Sequence, residues 1–347
     1  MFLNKLIGMF SHDIAIDLGT ANTIVLLKGQ GIIINEPSIV AVRVDRFDRE
    51  SGEILAVGHE AKEMVGKTPS GIRAIRPMKD GVIADFDITE KMIRYFIEKA
   101  HNRKSLIRPR IMVCVPYGLT GVERKAVKES AMSAGAREVY LIEEPMAAAI
   151  GAGLPVKEPQ GSLIVDIGGG TTEIGVISLG GLVISKSIRV AGDKLDMAIV
   201  NYVRKKYNLL IGERAGEEIK IQIGAAAPLE TPLSMQIKGR DQVSGLLNAI
   251  ELTSEDVREA IKDQLREIGA AIKSVIESVP ADLAGDLVEN GLTLTGGGAL
   301  IRGLDCYLSD TIKLPVFIGD EPLLAVAKGT GKAIEELDTL YNTSKYE

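Results

Sequence analysis

One stretch of the sequence combines a strand-like apolar run with residues suited to hold a phosphate and a metal ion. It spans residues 163–177, and Asp166 ends its first apolar part. Three glycines, Gly168, Gly169 and Gly170, and two threonines follow before a second β-branched run begins. Because glycine has no Cβ, such a turn can adopt positive φ angles and bring backbone N–H groups close to an anion. A neighbouring carboxylate can hold a divalent cation directly or through water, so the stretch predicts a magnesium–phosphate site.

The same pattern appears near the N-terminus. Asp17, Gly19 and Thr23 have the spacing of the aspartate, the first glycine and the second threonine of the central stretch. A single turn of this kind is also explained by a tight hairpin that its own aspartate caps. The repetition in the two halves of the chain favours two similar lobes that grip one polyphosphate from opposite sides.

The sequence excludes two other phosphate-binding folds. A P-loop needs Gly-x-x-x-x-Gly-Lys-Ser/Thr, and a Rossmann site needs Gly-x-Gly-x-x-Gly at the start of a helix. The tract Gly329-Thr330-Gly331-Lys332 is followed by Ala333 and lacks the required upstream glycine. Both glycine turns described above lead from strand to strand, so we expect the phosphates to meet hairpin turns rather than helix N-termini.

Length and composition are those of an ordinary globular protein of about two domains. The 347 residues are 46% hydrophobic and 25% charged, which allows a substantial core. The net charge of −6 argues against nucleic-acid binding, which usually needs a basic surface. Cys114 and Cys306 lie far apart and form no metal or redox motif, as is typical of the cytoplasm. No apolar run approaches the ~18 residues of a membrane-spanning helix.

The elements that must position the turns show ordinary periodicity. Apolar residues at helical spacing predict an amphipathic helix that begins near Thr89 and ends before His101. Thr120 and Glu123 form a capping-box pattern for a helix that runs to Gly135. Its predicted buried stripe consists of Val122, Ala126, Val127 and Ala131.

An acidic pair precedes an alanine-rich helix. A predicted strand at 139–142 leads to Glu143 and Glu144, and Pro145 suits the first helical turn. A proline also restrains the residue before it to an extended backbone, which places Glu144 just outside the helix. A carboxylate at a helix N-terminus is favourable in itself, by ~0.3–1 kcal/mol. The tail at 322–337 predicts a last helix that returns to the first lobe.

Two segments have the character of membrane contacts. Residues 1–10 place five apolar side chains on one helical face: Phe2, Leu3, Leu6, Ile7 and Phe10. The segment is too short and too weakly basic for a secretory signal, and it lacks a small-residue cleavage site. Leu106 and Ile107 follow a basic cluster in a predicted loop, which suggests an exposed hydrophobic tip. The alternative for both segments is packing on the protein's own domain.

The strand-to-strand glycine turns resemble those of the actin, sugar-kinase and heat-shock ATPase superfamily, and the chain is more closely similar to bacterial actins of the MreB type. The resemblance covers nearly the whole chain. It rests on the tracts Asp17 to Thr23, Asn35 to Ser38, Arg76 to Met78, Gly81 to Phe86, Glu143 to Gly153, Asp166 to Glu173 and Thr295 to Gly303. It implies an α/β, actin-like (ribonuclease H-like) fold with a nucleotide cleft between two lobes and a small subdomain on each.

The resemblance also implies domain limits. These are a membrane-binding segment at 1–10, lobe I at 11–150 and 325–347 with a small subdomain at about 32–75, and lobe II at 151–324 with a small subdomain at about 188–250.

Site residues follow from the same resemblance. Asp17 and Asp166 would hold Mg²⁺, mostly through waters. The residues expected to contact the phosphates are Thr20, Ala21, Asn22, Gly168, Gly169 and Gly170. The expected adenosine cradle consists of Gly216, Glu217, Glu218, Ile219, Lys220, Gly296, Gly297, Gly298 and Ala299. Glu217 would bind the ribose hydroxyls and Lys220 would lie along the nucleoside, although this pair alone would indicate only an exposed helical charge pair.

Hydrolysis needs a water molecule oriented in line with the γ-phosphate. By resemblance, Glu144 would position this water and Thr171 would hold it through its hydroxyl. Glu123 is a rival base, but its place in the capping box already explains it.

The resemblance implies a slow Mg²⁺-dependent ATPase with ATP and Mg²⁺ as cofactors, which forms membrane-associated filaments and directs cell-wall synthesis in rod-shaped cells. Its expected partners are further copies of the chain, the inner face of the cytoplasmic membrane, and elongation proteins such as RodZ and MreC, with no nucleic acid. The first alternative is a small-molecule kinase, for which no further Asp-x-Gly signature is present. The second is a DnaK-type chaperone, which shares the 144–150 pattern but needs a peptide-binding domain after Glu347.

Overall fold

The computed structural model describes residues 13–44, 50–101 and 108–343. The chain divides into two compact units. One ends at Val156 and resumes at Leu324, and the other spans Lys157–Leu323. The residues predicted to meet the membrane lie outside the described residues: Phe2, Leu3, Leu6, Ile7, Phe10, Leu106 and Ile107.

Both units contain strands and helices. The strands are β1 (Ile14–Leu18), β2 (Asn22–Leu27), β3 (Gly31–Pro37), β4 (Val40–Val44), β5 (Glu50–Val57), β6 (Ile72–Ile75), β7 (Met78–Lys79), β8 (Val82–Ile83), β9 (Arg110–Val115), β10 (Glu138–Glu143), β11 (Ser162–Ile167), β12 (Thr172–Ser178), β13 (Gly181–Ile188), β14 (Leu209–Leu210), β15 (Ser234–Asp241), β16 (Leu247–Thr253), β17 (Leu292–Thr295) and β18 (Val316–Ile318). The helices are α1 (His59–Met64), α2 (Phe86–His101), α3 (Gly121–Ser133), α4 (Glu144–Gly151), α5 (Gly192–Tyr207), α6 (Glu213–Ile223), α7 (Ser254–Ile276), α8 (Ala281–Asn290), α9 (Leu304–Ile312) and α10 (Ala325–Thr343), with 3₁₀ turns at Gly297–Leu300 and Pro322–Leu324.

Each unit contains a mixed five-stranded sheet built on one plan. The first sheet has the order β10-β9-β1-β2-β3, and the second has the order β13-β12-β11-β17-β18. In both, a central strand pairs in parallel with one neighbour and turns back into an antiparallel hairpin with the other: β1 with β9 and β2, and β11 with β17 and β12. The predicted strand-to-strand course of both glycine turns is therefore confirmed. Smaller three-stranded sheets, β5-β4-β6 and β14-β15-β16, accompany them.

The last helix packs inside the first unit. Buried side chains of α10, including Ala327 and Ile334, join Ala15 and Met112 of the sheet in one apolar cluster. At its crossing with α4 the backbones are in direct contact, because a Cβ on Gly329 would lie 1.7 Å from the Ala147 carbonyl oxygen. The Gly-Thr-Gly-Lys tract thus forms part of a packed helix, and its exclusion as a phosphate loop is confirmed.

Helix α2 differs from its predicted limits at both ends. Helix α2 begins at Phe86 rather than near Thr89 and ends at His101. The earlier start is explained by Asp85, whose carboxylate accepts a hydrogen bond from the Ile88 amide at 2.9 Å and so caps the first turn. The capping box of α3 is confirmed, with Thr120 and Glu123 bonded in both directions.

The predicted buried stripe of α3 is wrong at one residue. Val127 and Ala131 are buried and Ala126 is partly buried, whereas Val122 is 79% exposed. Val122 and Ala131 are nine residues apart, about two and a half turns at 3.6 residues per turn, so they lie on opposite faces. Ser130 is buried in the stripe instead.

None of the helices in the described part of the chain combines the length and the apolar character that a membrane span needs.

Candidate functional site

The first glycine turn joins β1 to β2 and is held from behind by two hydroxyls. Ser38 donates to the Gly19 carbonyl oxygen at 2.7 Å, and its own Oγ lies 2.9 Å from the Oγ1 of Thr23. The Ser38 amide also donates to the Ala21 oxygen at 2.9 Å. A Cβ on Gly19 would lie 2.7 Å from the Asn22 oxygen, so the turn is too tight for a side chain there.

The predicted phosphate contacts of this turn differ in exposure. Asn22 is exposed and Ala21 is partly buried, whereas Thr20 is buried and its Oγ1 accepts from the Gly81 amide at 3.1 Å. Asp17, in β1 just before the turn, is partly exposed. Ser38 and Gly81 come from tracts of the family resemblance that had no assigned role. Their position shows that both brace the first turn.

The second glycine turn joins β11 to β12 and is held by the first turn of α5. The Gly168 amide donates to the Thr171 oxygen at 2.9 Å, which closes the turn. The Gly192 amide donates to the Gly168 oxygen at 3.0 Å, and the following amide, of Asp193, donates to the Gly169 oxygen at 2.8 Å. Because the carbonyls are occupied by α5, the backbone of this turn is fixed without any ligand.

The positive φ angles predicted for the three glycines do not occur. The glycines with positive φ in the described residues do not include Gly168, Gly169 or Gly170. At Gly168 the structure shows limited space instead, since a Cβ there would lie 3.3 Å from the Thr171 oxygen. A positive φ occurs instead in the other triple-glycine tract, at Gly296 (φ +80°).

Four polar residues form a row across the sheet beside this turn. Asp166 is paired in register with Thr295 of β17 on one side and with Glu173 of β12 on the other, and Glu173 is paired with Ser187 of β13. Thr295 donates to Asp166 Oδ1 at 2.7 Å, and Ser187 donates to Glu173 Oε1 at 2.6 Å. The strand register thus places a second fully buried carboxylate, Glu173, next to Asp166. Only the pairing of the strands reveals this neighbour.

Asp166 is a buried carboxylate that could hold a metal ion. Burial raises its pKa to about 6, although the hydrogen bond from Thr295 lowers it. A divalent cation nearby would offset the cost of keeping it ionised. Within the described residues no group of three or more His, Cys, Asp or Glu side chains forms a metal cluster. Mg²⁺ usually keeps several waters and uses one or two carboxylates together with phosphate oxygens, so single carboxylates beside glycine turns fit this ion.

The predicted adenosine residues lie in the second unit, in two places. The tract at 296–298 packs on the end of β11, where Cβ atoms on Gly296 and Gly298 would lie within 2.4 Å of Ile167 atoms. Gly297 is exposed, whereas the Ala299 side chain is fully buried in the core. Ala299 can therefore meet a ligand only through its backbone.

Helix α6 carries the other half of the predicted cradle. Gly216 and Ile219 are buried, and the Ile219 side chain belongs to the core of the second unit. Glu217 is partly buried, and the exposed Glu218 accepts a hydrogen bond from Gln222 at 3.1 Å. The side chains with access to a ligand are therefore the charged ones.

Lys220 has a partner that sequence reasoning missed. Its Nζ lies 2.8 Å from Asp196 Oδ1 and donates to the Gly192 carbonyl oxygen at 3.2 Å. The available signal was its spacing, because Ile199 and Val203 follow Asp196 by three and seven residues and so place it on the buried face of the helix.

Glu144 begins α4 instead of preceding it. The N-cap is Glu143, which has an extended backbone and whose Oε1 accepts from Arg124 at 2.6 Å. Pro145 follows within the first turn. The prediction that Glu144 lies outside the helix is therefore wrong by one residue, because the extended conformation falls on Glu143.

Comparison with known proteins identifies the family. Residues 11–342 match the protein-family model described as MreB/Mbl protein. The chain belongs to the MreB/Mbl family. It is 54% identical over 338 residues to the cell shape-determining protein MreB of Escherichia coli (strain K12), with 97% of each chain covered.

Solved structures place the fold. The crystal structure of MreB5 of Spiroplasma citri bound to ADP matches with a TM-score of 0.88 and 39% identity, over 94% of this chain and 98% of that one. The MamK double helical filament matches with a TM-score of 0.79 over 94% and 99% of the two chains, and at 20% identity this likeness concerns the fold alone. The fold predicted from the MreB/Mbl resemblance, α/β and actin-like, is confirmed.

Proposed function

We propose that the protein is a bacterial actin that binds adenine nucleotides, assembles into filaments and acts in determining cell shape. The strongest support is that this chain, a member of the MreB/Mbl family, contains the same kind of hairpin in each of its two units. In each unit, a central strand with an aspartate near its end leads into a braced glycine turn. Relatives that share most of the sequence carry cell-shape names, and MreB5 is described as bound to ADP.

The two turns are assigned to the phosphates and to Mg²⁺. Asp17 and Asp166 would hold the ion, mostly through its waters, and the bound ion would neutralise charge on the β- and γ-phosphates. The backbone N–H groups that remain after the bracing described above would bind phosphate oxygens. Because both turns are fixed by Ser38 and by α5, little ordering would be needed when the nucleotide binds.

Hydrolysis is assigned to Glu144 and Thr171. Glu144 would orient the attacking water, and the Thr171 hydroxyl would hold it. A carboxylate in the first turn of α4 also gains from the helix dipole.

Filaments and membrane attachment complete the proposal. A head-to-tail contact between copies is heterologous and propagates into an open polymer unless rotation closes a ring. Residues 1–10 and Leu106-Ile107 would attach such a polymer to the inner face of the cytoplasmic membrane, since many weak anchors on one body bind with high avidity. Elongation proteins of the RodZ and MreC kinds are the partners that the family resemblance suggests.

Sedimentation with ATP, Mg²⁺ and anionic lipid vesicles tests the proposal. The full chain should pellet in a nucleotide-dependent way without any acceptor substrate, and an Asp17→Ala variant should not. A protein that stays monomeric across concentrations under these conditions, yet turns over ATP when a sugar or acetate acceptor is added, would be a kinase instead.

A further inference from the structure

Asp196 is a buried carboxylate that the proposed function leaves without a role. It lies on α5, where it is 8% exposed, and it forms the 2.8 Å ion pair with Lys220 of α6. The helices meet closely here, because a Cβ on Gly216 would lie 2.8 Å from the Asp196 carbonyl oxygen and equally close to Val200. The ion pair therefore sits at a helix crossing with no room for another side chain.

The Lys220 ammonium connects this crossing to the second glycine turn. It donates to the carbonyl oxygen of Gly192, the first residue of α5. The amides of the same helical turn hold the carbonyls of Gly168 and Gly169 at 3.0 and 2.8 Å. An unbroken series of contacts thus runs from Asp196 through Lys220 to two glycines assigned to the phosphates.

The contacts that run from Asp196 through Lys220 to the glycine turn depend on whether Asp196 is ionised. Burial raises the pKa of Asp196 to about 6 although Lys220 lowers it, and the neighbouring carboxylates of Glu217 on α6 and Asp193 on α5 add to the rise. Above this pH the carboxylate is ionised and holds the ammonium. As the pH falls through about 6, it takes up a proton and the ion pair is lost.

We infer that Asp196 is a positioning residue for the nucleotide, which holds the Lys220 ammonium on the Gly192 carbonyl and thereby fixes the start of α5 against the glycine turn. This inference rests on the proposed nucleotide binding and adds a residue that itself need not touch the ligand. Without the carboxylate, Lys220 would lose its fixed position beside the nucleoside, and the α5 amides would be held less firmly under Gly168 and Gly169.

Isothermal titration of ATP with Mg²⁺ into the full chain provides the first test. Asp196→Asn, which keeps shape but not charge, should weaken binding by about tenfold, which is within the usual range of coupling between a distant residue and a binding site. The matched control is Asp256→Asn. Asp256 is also buried and pairs with a lysine of α5, Lys206 at 2.6 Å, but near the opposite end of that helix. This control should lose stability and keep its ATP affinity.

A double-mutant comparison separates positioning from a general loss of structure. Lys220→Met should weaken binding, and adding Asp196→Asn to it should cause no further loss, because Asp196 acts through Lys220. The pH profile gives a second readout. The ATP affinity of the wild type should fall more steeply between pH 7 and 5 than that of Asp196→Asn or Lys220→Met. Subtracting a variant's pH profile from that of the wild type removes the effects of ATP and of other groups that titrate in this range.

The outcomes distinguish this inference from the proposed function. If the wild-type chain binds no ATP, the proposed function fails. If it binds ATP while Asp196→Asn matches it in affinity and pH profile, only the role of Asp196 is overturned. Should Asp196→Asn not fold by circular dichroism, the Lys220→Met profile decides, and a slope equal to that of the wild type refutes the inference.

Discussion

Replacing Asp166 by asparagine should stabilise the nucleotide-free protein while it abolishes Mg²⁺-dependent ATP binding. Asparagine has nearly the same shape and still offers an oxygen to Thr295, whose hydroxyl donates to Asp166 Oδ1 at 2.7 Å. What changes is the buried charge. We expect this cost to be tolerated because the ionised carboxylate is needed to hold the cation that accompanies the phosphates.

The size of the effect follows from the pKa of Asp166. Burial raises it from 3.8 to about 6, a difference of roughly two pH units at about 1.4 kcal/mol each. A carboxyl whose pKa is raised binds its proton more tightly in the folded state, so the ionised form destabilises the fold. Above pH 7 the ionised carboxylate therefore lowers the free energy of unfolding by about 3 kcal/mol. This cost falls to about half at pH 5 and disappears below pH 3.8.

Urea unfolding in EDTA, followed by circular dichroism at pH 7.5 and pH 5, measures this difference. Asp166→Asn should be more stable than the wild type at pH 7.5 and less distinctly so at pH 5. Asp256→Asn is the control, and it should change stability in the opposite direction. Although burial opposes ionisation, hydrogen bonds from Lys206 and Thr253 hold the pKa of Asp256 far below its usual range, so losing that charge should destabilise the protein.

One pattern would refute the reasoning. If Asp166→Asn is no more stable than the wild type at either pH while Asp256→Asn loses stability as expected, the ionised Asp166 carries no cost in the folded protein. Its charge would then already be compensated within the protein, without a metal.

Three further changes test other parts of the molecule. Gly329→Ala should lower the free energy of unfolding by about 3 kcal/mol or more, because its Cβ would collide with the α4 backbone; Gly71→Ala, with nothing within 4 Å of its Cβ, should stay within about 1 kcal/mol in the same urea titration. Glu144→Ala should keep ATP affinity but slow phosphate release by about 100-fold in a coupled phosphate assay, and a variant that hydrolyses at the wild-type rate would rule out the assigned role. Deleting residues 2–10 should reduce co-sedimentation with anionic liposomes and spare ATP binding; a truncated protein that loses its fold would show instead that the segment belongs to the core.

Patterns that depend on neighbours along the chain could be predicted from the sequence. The two hairpins at Asp17 and Asp166 were predictable, because a short glycine turn between two strands brings them together as an antiparallel pair. The capping box of Thr120 and Glu123 was predictable for the same reason, since both partners lie in one helical turn. The exclusion of residues 329–332 as a phosphate loop needed only the spacing of their glycines.

Features that depend on contact between distant segments were decided by the tertiary structure. Nothing local indicates that Ser38 braces the turn after Asp17, or that Thr295 of β17 donates to Asp166. The exposure of Val122 depends on which face of α3 the sheet and α2 cover, not on its apolar side chain. Asp196 is the clearest case. Helical spacing places it on the buried face with Ile199 and Val203, but its partner Lys220 comes from α6, which approaches closely at Gly216. A side chain's charge is written in the sequence, but its desolvation and its partner are set by segments that meet only when the chain is folded.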